Sequence, residues 1–379
     1  MKFAFVIFKY FPFGGVQRDM LRFARACRRQ GHEVTIYAGE WQGGRPEPDI
    51  EVALLPPSGW LNHQQRRDFI RQVTERLRQN PPDLVLGFNR MPGLDAWYAA
   101  DPCYEERGRN ERKWFYRLGG RYRFFAHCER EVMRADGECR ILLLSPREKA
   151  IYQKWYGTPD SRFLQLPPGI PRQAFDGLDA TEARRSLRAE FGFADSNLVM
   201  LFVGSAFVRK GLDRAIAGLA ALPAALRDQV RLLAVGQDDP GEMLALARKL
   251  GIAAQVVITQ GRDDVPRLMK GADLLVHPAR IELAGNVLIE AMTAGLPVLA
   301  SEECGYATHV AQAGAGFVTR APFQQDEFNR RLQELLSAPS RDTWAQAGLA
   351  YTAAIHRDTP EDYEAGLLAS LAQAKAARA

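Results

Sequence analysis

The sequence has few of the features that are typical of secreted, zinc-binding or membrane-spanning proteins. Its 379 residues include no CxxC pair and five widely spaced cysteines: Cys27, Cys103, Cys128, Cys139 and Cys304. An odd number of scattered cysteines fits neither a disulfide framework nor a zinc site, which favours a reducing compartment. No apolar stretch approaches the ~20 residues of a spanning helix. The apolar run at residues 3–8 has no cleavage site behind it, so it predicts a buried strand rather than a signal peptide.

An excess of charge of one sign is also lacking. Lysine and arginine total 50 and aspartate and glutamate total 45, which gives a net charge of +5. So mild an excess does not indicate nucleic acid as a partner. We therefore expect a cytoplasmic globular protein that does not act on nucleic acid.

The first half of the chain alternates between strand and helix patterns. Residues 3–8, 33–37 and 84–88 are short apolar runs typical of buried parallel strands, and residues 17–30 and 64–79 have helical spacing. This alternation predicts a doubly wound parallel sheet. Because the chain is longer than a single core usually supports, we expect a second domain.

A turn-rich segment at residues 165–171 interrupts the pattern, and a second α/β series follows it. Its strands are predicted at residues 198–204, 230–235, 256–259 and 272–276. We therefore predict two Rossmann-like α/β domains facing a cleft, with these bounds: 1–166, 167–345, and a helical segment at 346–379 that can return to the first domain.

The stretch 277–291 is the most specific part of the sequence. It ends a strand with His-Pro, makes a loop containing Gly285 and opens a helix. Ligands of open α/β sheets bind at this edge, where amide groups of a following helix favour phosphate. Glu282 and Glu290 offer carboxylate oxygens that suit a hydroxyl-rich ligand.

The residues alone leave simpler interpretations open. Glu282 could be a solvated loop residue and Glu290 a partner in a structural ion pair. Arg209 and Lys210, predicted to open a helix after the strand 198–204, could form a solvated basic turn. As cations at that place, they would suit a departing anionic group.

The stretch is similar to the E-x7-E region of retaining GT-B glycosyltransferases of family 4. Further matching segments make the resemblance nearly full length: residues 9–19, 87–95, 166–170, 209–211 and 235–237. The tyrosine-containing first loop points to a subfamily that adds a hexose to the heptose region of the lipopolysaccharide core. The resemblance implies a GT-B fold, an acceptor-binding N-terminal domain and a UDP-sugar-binding C-terminal domain.

The resemblance also implies roles for the donor site. Glu290 would bind the ribose hydroxyls of UDP, Glu282 the hydroxyls of the donor hexose, and Arg209 and Lys210 the diphosphate. No DxD motif precedes a suitable site, so no metal and no cofactor are expected. The loop predicted to line the donor site contains Leu283, Ala284, Gly285 and Asn286.

Five further residues complete the predicted donor site. Gly14 and Gly15 follow the first strand and would let the main chain approach the ligand closely. Asp19, one turn into the helix, could accept from a ligand hydroxyl, or could simply favour the helix dipole. Arg172 would reach the donor phosphate or sugar, and Arg262 would line the base pocket.

Asp101 follows the first-domain strands where related enzymes place acceptor-side catalytic residues, often a histidine. This sequence has no histidine there, so Asp101 is our candidate acceptor-side base. The family retains anomeric configuration, either by front-side displacement or through a covalent intermediate.

Residues 107–134 concentrate positive charge, with nine arginines and lysines against three glutamates. Six aromatics are interleaved: Trp114, Phe115, Tyr116, Tyr122, Phe124 and Phe125. Basic and aromatic side chains together suit an anionic membrane surface, but also nucleic acid or a phosphorylated saccharide, and the aromatics could simply pack on the domain. We predict peripheral contact with the cytoplasmic face of the inner membrane, where the lipid A-core acceptor lies, through Lys113, Trp114, Arg117, Arg121 and Arg123.

Other functions remain open at this point. A GT-B transferase could use another polysaccharide or glycolipid acceptor, and a UDP-sugar epimerase or a phosphorylase could share the fold. A basic membrane- or RNA-binding protein could retain the fold without activity. Turnover of a UDP-hexose would separate the enzymes from the last of these, and the donor hexose itself is not readable because such sugars differ by one or two contacts.

Overall fold

The computed structural model describes residues 1–12, 14–169, 172–358 and 362–378. The chain forms two compact units, one of residues 1–167 with 359–379 and one of residues 168–358. Each unit contains a parallel sheet with helices on its faces. The prediction of two doubly wound Rossmann-like domains is therefore confirmed as to fold.

The first unit is built on a seven-stranded sheet in the order β3-β2-β1-β4-β5-β6-β7. The strands are β1 Lys2–Tyr10, β2 Glu33–Trp41, β3 Glu51–Leu54, β4 Leu84–Gly87, β5 Ala96–Ala99, β6 Arg140–Leu143 and β7 Phe163–Gln165. The helices are α1 Gly15–Arg29, α2 Asn62–Gln79, α3 Tyr104–Asn110, α4 Gly120–Met133 and α5 Pro146–Tyr156, with 3-10 helices at Trp114–Leu118 and Asp160–Arg162. The order reverses between β1 and β4, so the loops after these two strands leave the same edge of the sheet.

The second unit has a six-stranded sheet in the order β10-β9-β8-β11-β12-β13. The strands are β8 Leu198–Val203, β9 Val230–Val235, β10 Val256–Thr259, β11 Leu274–His277, β12 Val298–Ser301 and β13 Gly316–Thr319. The helices are α6 Ala180–Phe191, α7 Phe207–Lys210, α8 Leu212–Ala220, α9 Ala224–Arg227, α10 Gly241–Lys249, α11 Val265–Gly271, α12 Asn286–Ala294, α13 Ala307–Ala313, α14 Gln325–Ser337 and α15 Asp342–Asp358, with 3-10 helices at Arg172–Phe175 and Ala253–Gln255.

The strands of the second unit are apolar on both faces because helices cover both. Leu201 and Leu275 pack on one side of the sheet, with Leu288 of α12. Phe202 and Val276, their neighbours in sequence, pack on the other side. Continuous apolar runs such as 198–203 follow from this double burial.

The C-terminal segment is divided between the units. Helix α15 packs on α12 and α13, and the hydroxyl of Tyr351 lies 2.8 Å from Nδ1 of His309. The last helix, α16 Tyr363–Ala376, packs on α1 and β4 of the first unit. Its Glu364 forms an ion pair with Arg22, and Lys375 lies 2.8 Å from Asp95. The single predicted segment 346–379 is thus two helices with different neighbours.

Among the described helices, none has the length and apolar character needed to cross a membrane.

Candidate functional site

The strand order of the second sheet reverses between β8 and β11, which lie side by side. The loop after β8 and the loop after β11 therefore leave the sheet at the same carboxyl edge. This switch point is where open α/β sheets bind their ligands. Glu282 lies in the loop after β11, and Arg209 and Lys210 lie in the one-turn helix α7 that follows β8.

Glu282 is the centre of an ion-pair cluster. Its Oε2 lies 3.1 Å from Nζ of Lys210 and accepts a hydrogen bond of 3.2 Å from the Arg209 guanidinium. Arg209 also donates to the carbonyl of Ile281 at 3.0 Å. The side chains of Glu282 and Lys210 are 15% and 17% exposed, whereas Arg209 is 48% exposed. Lys210 is thus the enclosed partner of the carboxylate and Arg209 the open one.

Two glycines flank the short helix α7 that carries these cations. Gly204 has φ +138°, and a Cβ there would lie 2.6 Å from Cδ of Lys210. Gly211 has φ +82°, and a Cβ there would lie 2.0 Å from the carbonyl oxygen of Pro278. The prediction that Arg209 and Lys210 open a helix is wrong: they end the one-turn α7, because Gly211 adopts a left-handed conformation before α8 begins.

Substituting Gly211 by alanine should destabilise the second unit by at least ~2 kcal/mol, since the new Cβ meets backbone and the residue keeps a positive φ. Differential scanning calorimetry would show the lowered transition. Gly366→Ala is the control: this helical glycine has nothing within 4 Å of its added Cβ, so that variant should be neutral or slightly stabilised. Equal effects of the two changes would contradict the predicted clash.

The charge state of Glu282 depends on its neighbours. Burial raises the pKa of the Glu282 carboxyl, but the positive charges of Lys210 and Arg209 outweigh burial and leave its pKa below the usual value. The carboxylate is therefore ionised at neutral pH and can accept hydrogen bonds from a ligand hydroxyl.

His277, the last residue of β11, lies beneath this cluster and is fully buried. Its ring stacks on Phe202 with centroids 6.0 Å apart. Neither ring nitrogen has a hydrogen-bond partner within the described part of the chain. Burial, with a smaller effect of Lys210, lowers the pKa of His277 to about 3. The imidazole is therefore neutral at physiological pH.

The buried imidazole should make stability depend on pH from about 6.5 down to about 3. In this range the unfolded chain takes up a proton on this histidine and the folded chain does not, so the unfolding free energy falls as pH falls, by about 2 kcal/mol at pH 5. At pH 5.0 the Glu282 carboxylate, whose pKa lies below its usual value, stays ionised. Urea unfolding at pH 7.5 and pH 5.0 would show that His277→Gln loses correspondingly less stability than the wild type; the same loss in both would contradict the assignment.

The rest of the predicted donor loop leads into α12. Gly285 precedes the helix with φ +88°, and a Cβ there would lie 2.3 Å from Sγ of Cys304. The loop is pinned to the chain after β12, because Tyr306 N donates to the carbonyl of Ala284 at 2.7 Å and Gly305 N to that of Glu282 at 2.8 Å. The sequence does not reveal the role of this segment after β12, because it holds the loop through backbone groups and not through side chains. The remaining loop positions are half-buried: Leu283, Ala284, Asn286 and, one turn further along, Glu290.

Arg262 lies after β10 and is engaged within the protein. Its guanidinium donates to both carboxylate oxygens of Asp264, at 2.7 and 2.9 Å, and lies 2.7 Å from Glu190. These hydrogen bonds to Asp264, with Glu190, raise its pKa. The predicted base-pocket role stays a prediction, and the structure shows that Arg262 ties the β10–α11 loop to α6. The side chain of Arg172 lies outside the described residues.

The predicted residues of the first unit lie at the start of α1. Gly14 is tightly packed, since a Cβ would lie 1.8 Å from Oε1 of Gln17, and Gly15 is open. Asp19 is buried, and its carboxylate accepts from the Tyr98 hydroxyl at 2.6 Å and from Arg22 at 3.3 Å. These contacts add a structural role to the predicted one at Asp19.

Asp101 follows β5 on the edge of a buried polar network. Its side chain is 52% exposed, and Oδ2 lies 3.8 Å from the Arg90 guanidinium. Arg90 also donates to the Pro102 carbonyl at 2.9 Å and forms an ion pair with the fully buried Glu129 of α4. In the sequence Glu129 is only one acidic residue of the basic segment, because its partners lie far away in the chain.

The structure separates four of the six aromatics of residues 107–134 into two groups, and the other two, Tyr116 and Phe125, are half-buried. Tyr122 and Phe124 are buried, so for them the interpretation as domain packing is correct. Trp114 and Phe115 are 69% and 56% exposed, and Leu118, not selected from sequence, is 58% exposed. Among the predicted cations of this surface, Lys113, Arg121 and Arg123 are exposed and Arg117 is half-buried.

Within the described part of the chain, no group of three or more His, Cys, Asp or Glu side chains is placed to hold a metal ion. The expectation of a metal-free reaction stays a prediction.

Two Rossmann-like units, with a carboxylate and two cations at the switch point of the second, fit a glycosyltransferase of the GT-B fold. Family models agree: Glycosyltransferase Family 4 matches residues 13–174, and Glycosyl transferases group 1 matches residues 183–350. The chain is 42% identical over 349 residues to the lipopolysaccharide glucosyltransferase WaaG of Escherichia coli K12, covering 92% of this chain and 93% of that protein. The chain therefore belongs to glycosyltransferase family 4.

Solved structures give the same result for the fold. The crystal structure of WaaG matches with a TM-score of 0.87 at 41% identity, covering 99% of this chain and 98% of that chain. Anabaena HepE in complex with UDP-glucose matches with a TM-score of 0.74 at 18% identity, covering 99% and 100%, a likeness of fold alone.

Proposed function

We propose that the protein transfers a hexosyl group, with retention, from a UDP-hexose to an inner-core heptose of lipopolysaccharide. The observation that carries this proposal is the Glu282–Lys210–Arg209 cluster at the switch point of the second unit. The extensive identity to a lipopolysaccharide glucosyltransferase supports the choice of acceptor.

The cluster fits the chemistry of donor cleavage. The departing UDP carries growing negative charge, which Lys210 and Arg209 would stabilise without a metal. The same cations keep Glu282 ionised, so that it can accept hydrogen bonds from the hexose hydroxyls. Glu290, half-buried on α12, would bind the ribose hydroxyls.

Asp101 is the proposed base for the acceptor hydroxyl. Its exposed carboxylate can reach a ligand, while Arg90 and the buried network hold the chain beside it. Turnover by Asp101→Asn at the wild-type rate would exclude Asp101 as the base. It would not affect the proposed donor site.

The function is tested by a panel of UDP-hexoses offered with heptose-terminated, truncated lipopolysaccharide. We expect one hexose to be transferred, with the linkage read by mass spectrometry and NMR, and UDP to bind in calorimetry. No binding of UDP, or no transfer from any donor, would refute the proposal.

We also place the protein peripherally on the cytoplasmic face of the inner membrane. Trp114 and Phe115 project from the first unit, with the exposed cations Lys113, Arg121 and Arg123 nearby in the chain. Such side chains favour the interface of an anionic bilayer. Sedimentation with anionic vesicles at low salt should show binding that falls when Arg117, Arg121 and Arg123 are neutralised together; no binding would refute this location.

A further inference from the structure

Trp60 is the most exposed large apolar side chain among the described residues, at 99% exposure, and Leu61 beside it is 53% exposed. They lie between β3 and α2, outside the basic segment 107–134. Together the two side chains make an exposed apolar patch, and contiguous exposed apolar patches mark sites of protein or membrane interaction.

The loop that carries Trp60 is ordered. Ser58 donates through its backbone N and its hydroxyl to Asp68 of α2, at 2.9 and 3.0 Å. The side chain of Gln65 donates to the carbonyl of Gly59 at 3.0 Å, and Leu61 N donates to Gln64 at 3.2 Å. Four hydrogen bonds to α2 thus hold Trp60 and Leu61 outward, and their exposure is a property of a fixed turn.

The fold brings this turn beside the basic segment. Helix α2 packs against α4, and the Arg67 guanidinium lies 5.7 Å from the centre of the Phe124 ring. At the start of α4, a Cβ on Gly120 would lie 3.3 Å from Nε2 of His63, three residues after Trp60. The chain just before Gly120 is the 3-10 helix Trp114–Leu118, with its own exposed apolar side chains.

We propose that Trp60 and Leu61 form a second membrane anchor, next to the one formed by Trp114, Phe115 and Leu118. This inference rests on the proposed membrane location and extends it to a segment about fifty residues earlier in the chain. The partner is an anionic phospholipid bilayer, because exposed cations accompany both apolar groups: Arg67 on α2, and Lys113, Arg121 and Arg123 around the other. The rings enter the interface and the cations bind lipid phosphates.

Two anchors on separate segments would fix the orientation of the first unit as well as its attachment. A unit that is held by a single apolar contact can rotate about that contact on the membrane surface. Two contacts at separate points restrict this rotation. The acceptor-side edge of the unit would then be presented to a lipid-linked acceptor at a constant angle.

Vesicle sedimentation tests the anchor directly. With vesicles of phosphatidylglycerol and phosphatidylethanolamine, Trp60→Ala/Leu61→Ala should weaken binding about tenfold or more, since each side chain loses apolar burial. Leu250→Ala is the matched control: this leucine is 39% exposed in the second unit, and its loss should leave binding unchanged. Transfer to a short, lipid-free acceptor should be the same in all variants.

A spectroscopic measurement tests insertion itself. Brominated lipids should quench the wild-type tryptophan fluorescence more than that of Trp60→Phe, while Trp60→Phe keeps most of its vesicle binding. Equal fractional quenching, or full binding by the double alanine variant, overturns the second anchor. If neutralising Arg117, Arg121 and Arg123 still abolishes binding, the membrane location itself stands; if the wild type never binds vesicles, both proposals fail. A change of oligomeric mass in Trp60→Ala would assign the patch to self-association instead and likewise overturn the anchor.

Discussion

Replacing Lys210 by alanine is expected to lower kcat for hexosyl transfer by about 10²–10³-fold, the usual cost of removing a group that stabilises charge in the transition state. Lys210 is enclosed and lies 3.1 Å from Glu282. If Lys210 has the proposed role, its loss removes a cation that stabilises the departing diphosphate, and it also removes the nearest counter-charge of the largely buried Glu282 carboxylate. Lys210→Arg keeps the charge and should recover part of the rate.

The loss of the counter-charge of Glu282 should be visible in the pH profile of the residual activity. Lys210 is the main charge that keeps the pKa of Glu282 below its usual value, against the effect of burial. Without it the pKa rises, so the acidic limb of the residual activity should shift to higher pH. Lys249→Ala, which changes an exposed lysine of α10, should alter neither rate nor profile. A Lys210→Ala enzyme within about twofold of wild type, or with an unshifted limb, would exclude this role.

Removing the carboxylate of Glu129 should destabilise the first unit by about 3–5 kcal/mol, because it leaves a buried charge without its partner. Glu129 accepts from the backbone N of Tyr104 at 2.8 Å, the backbone N of Glu105 at 3.0 Å and the Tyr156 hydroxyl at 2.6 Å, and it pairs with Arg90. In Glu129→Ala the start of α3 loses its acceptor and Arg90 its counter-charge.

Glu129→Ala should also lower activity if Asp101 is the acceptor base that we propose, because Arg90 contacts Pro102 and lies near Asp101. Urea unfolding would measure the stability loss, and transfer assays below the unfolding range would show reduced kcat. Glu131→Ala is the control on the same helix: its side chain is 34% exposed and lies 3.9 Å from Nδ1 of His127, so we expect less than ~0.5 kcal/mol. Similar losses in both variants would contradict a special role for Glu129.

The sequence predicted most of the strands because burial on both faces leaves uninterrupted apolar runs. Residues 230–235 and 256–259 were predicted with the bounds that β9 and β10 have. The helix after Gly211 was misplaced by a few residues, since a left-handed glycine after a single turn gives no periodic signal. The aromatics Tyr122 and Phe124 could not be told from Trp114 and Phe115, because all sit at similar spacing among arginines and only packing separates them.

The two α/β series, the loop that carries Glu282 and the basic pair at 209–210 can be read from the amino-acid sequence, because they depend on local pattern and on order along the chain. Three further features become visible in the folded chain: Lys210 is the enclosed partner of Glu282, Arg262 is already paired, and Trp60 lies beside the basic segment. Each of these is a contact between residues far apart in the chain, and strand order, helix packing and burial bring such residues together without leaving a local trace.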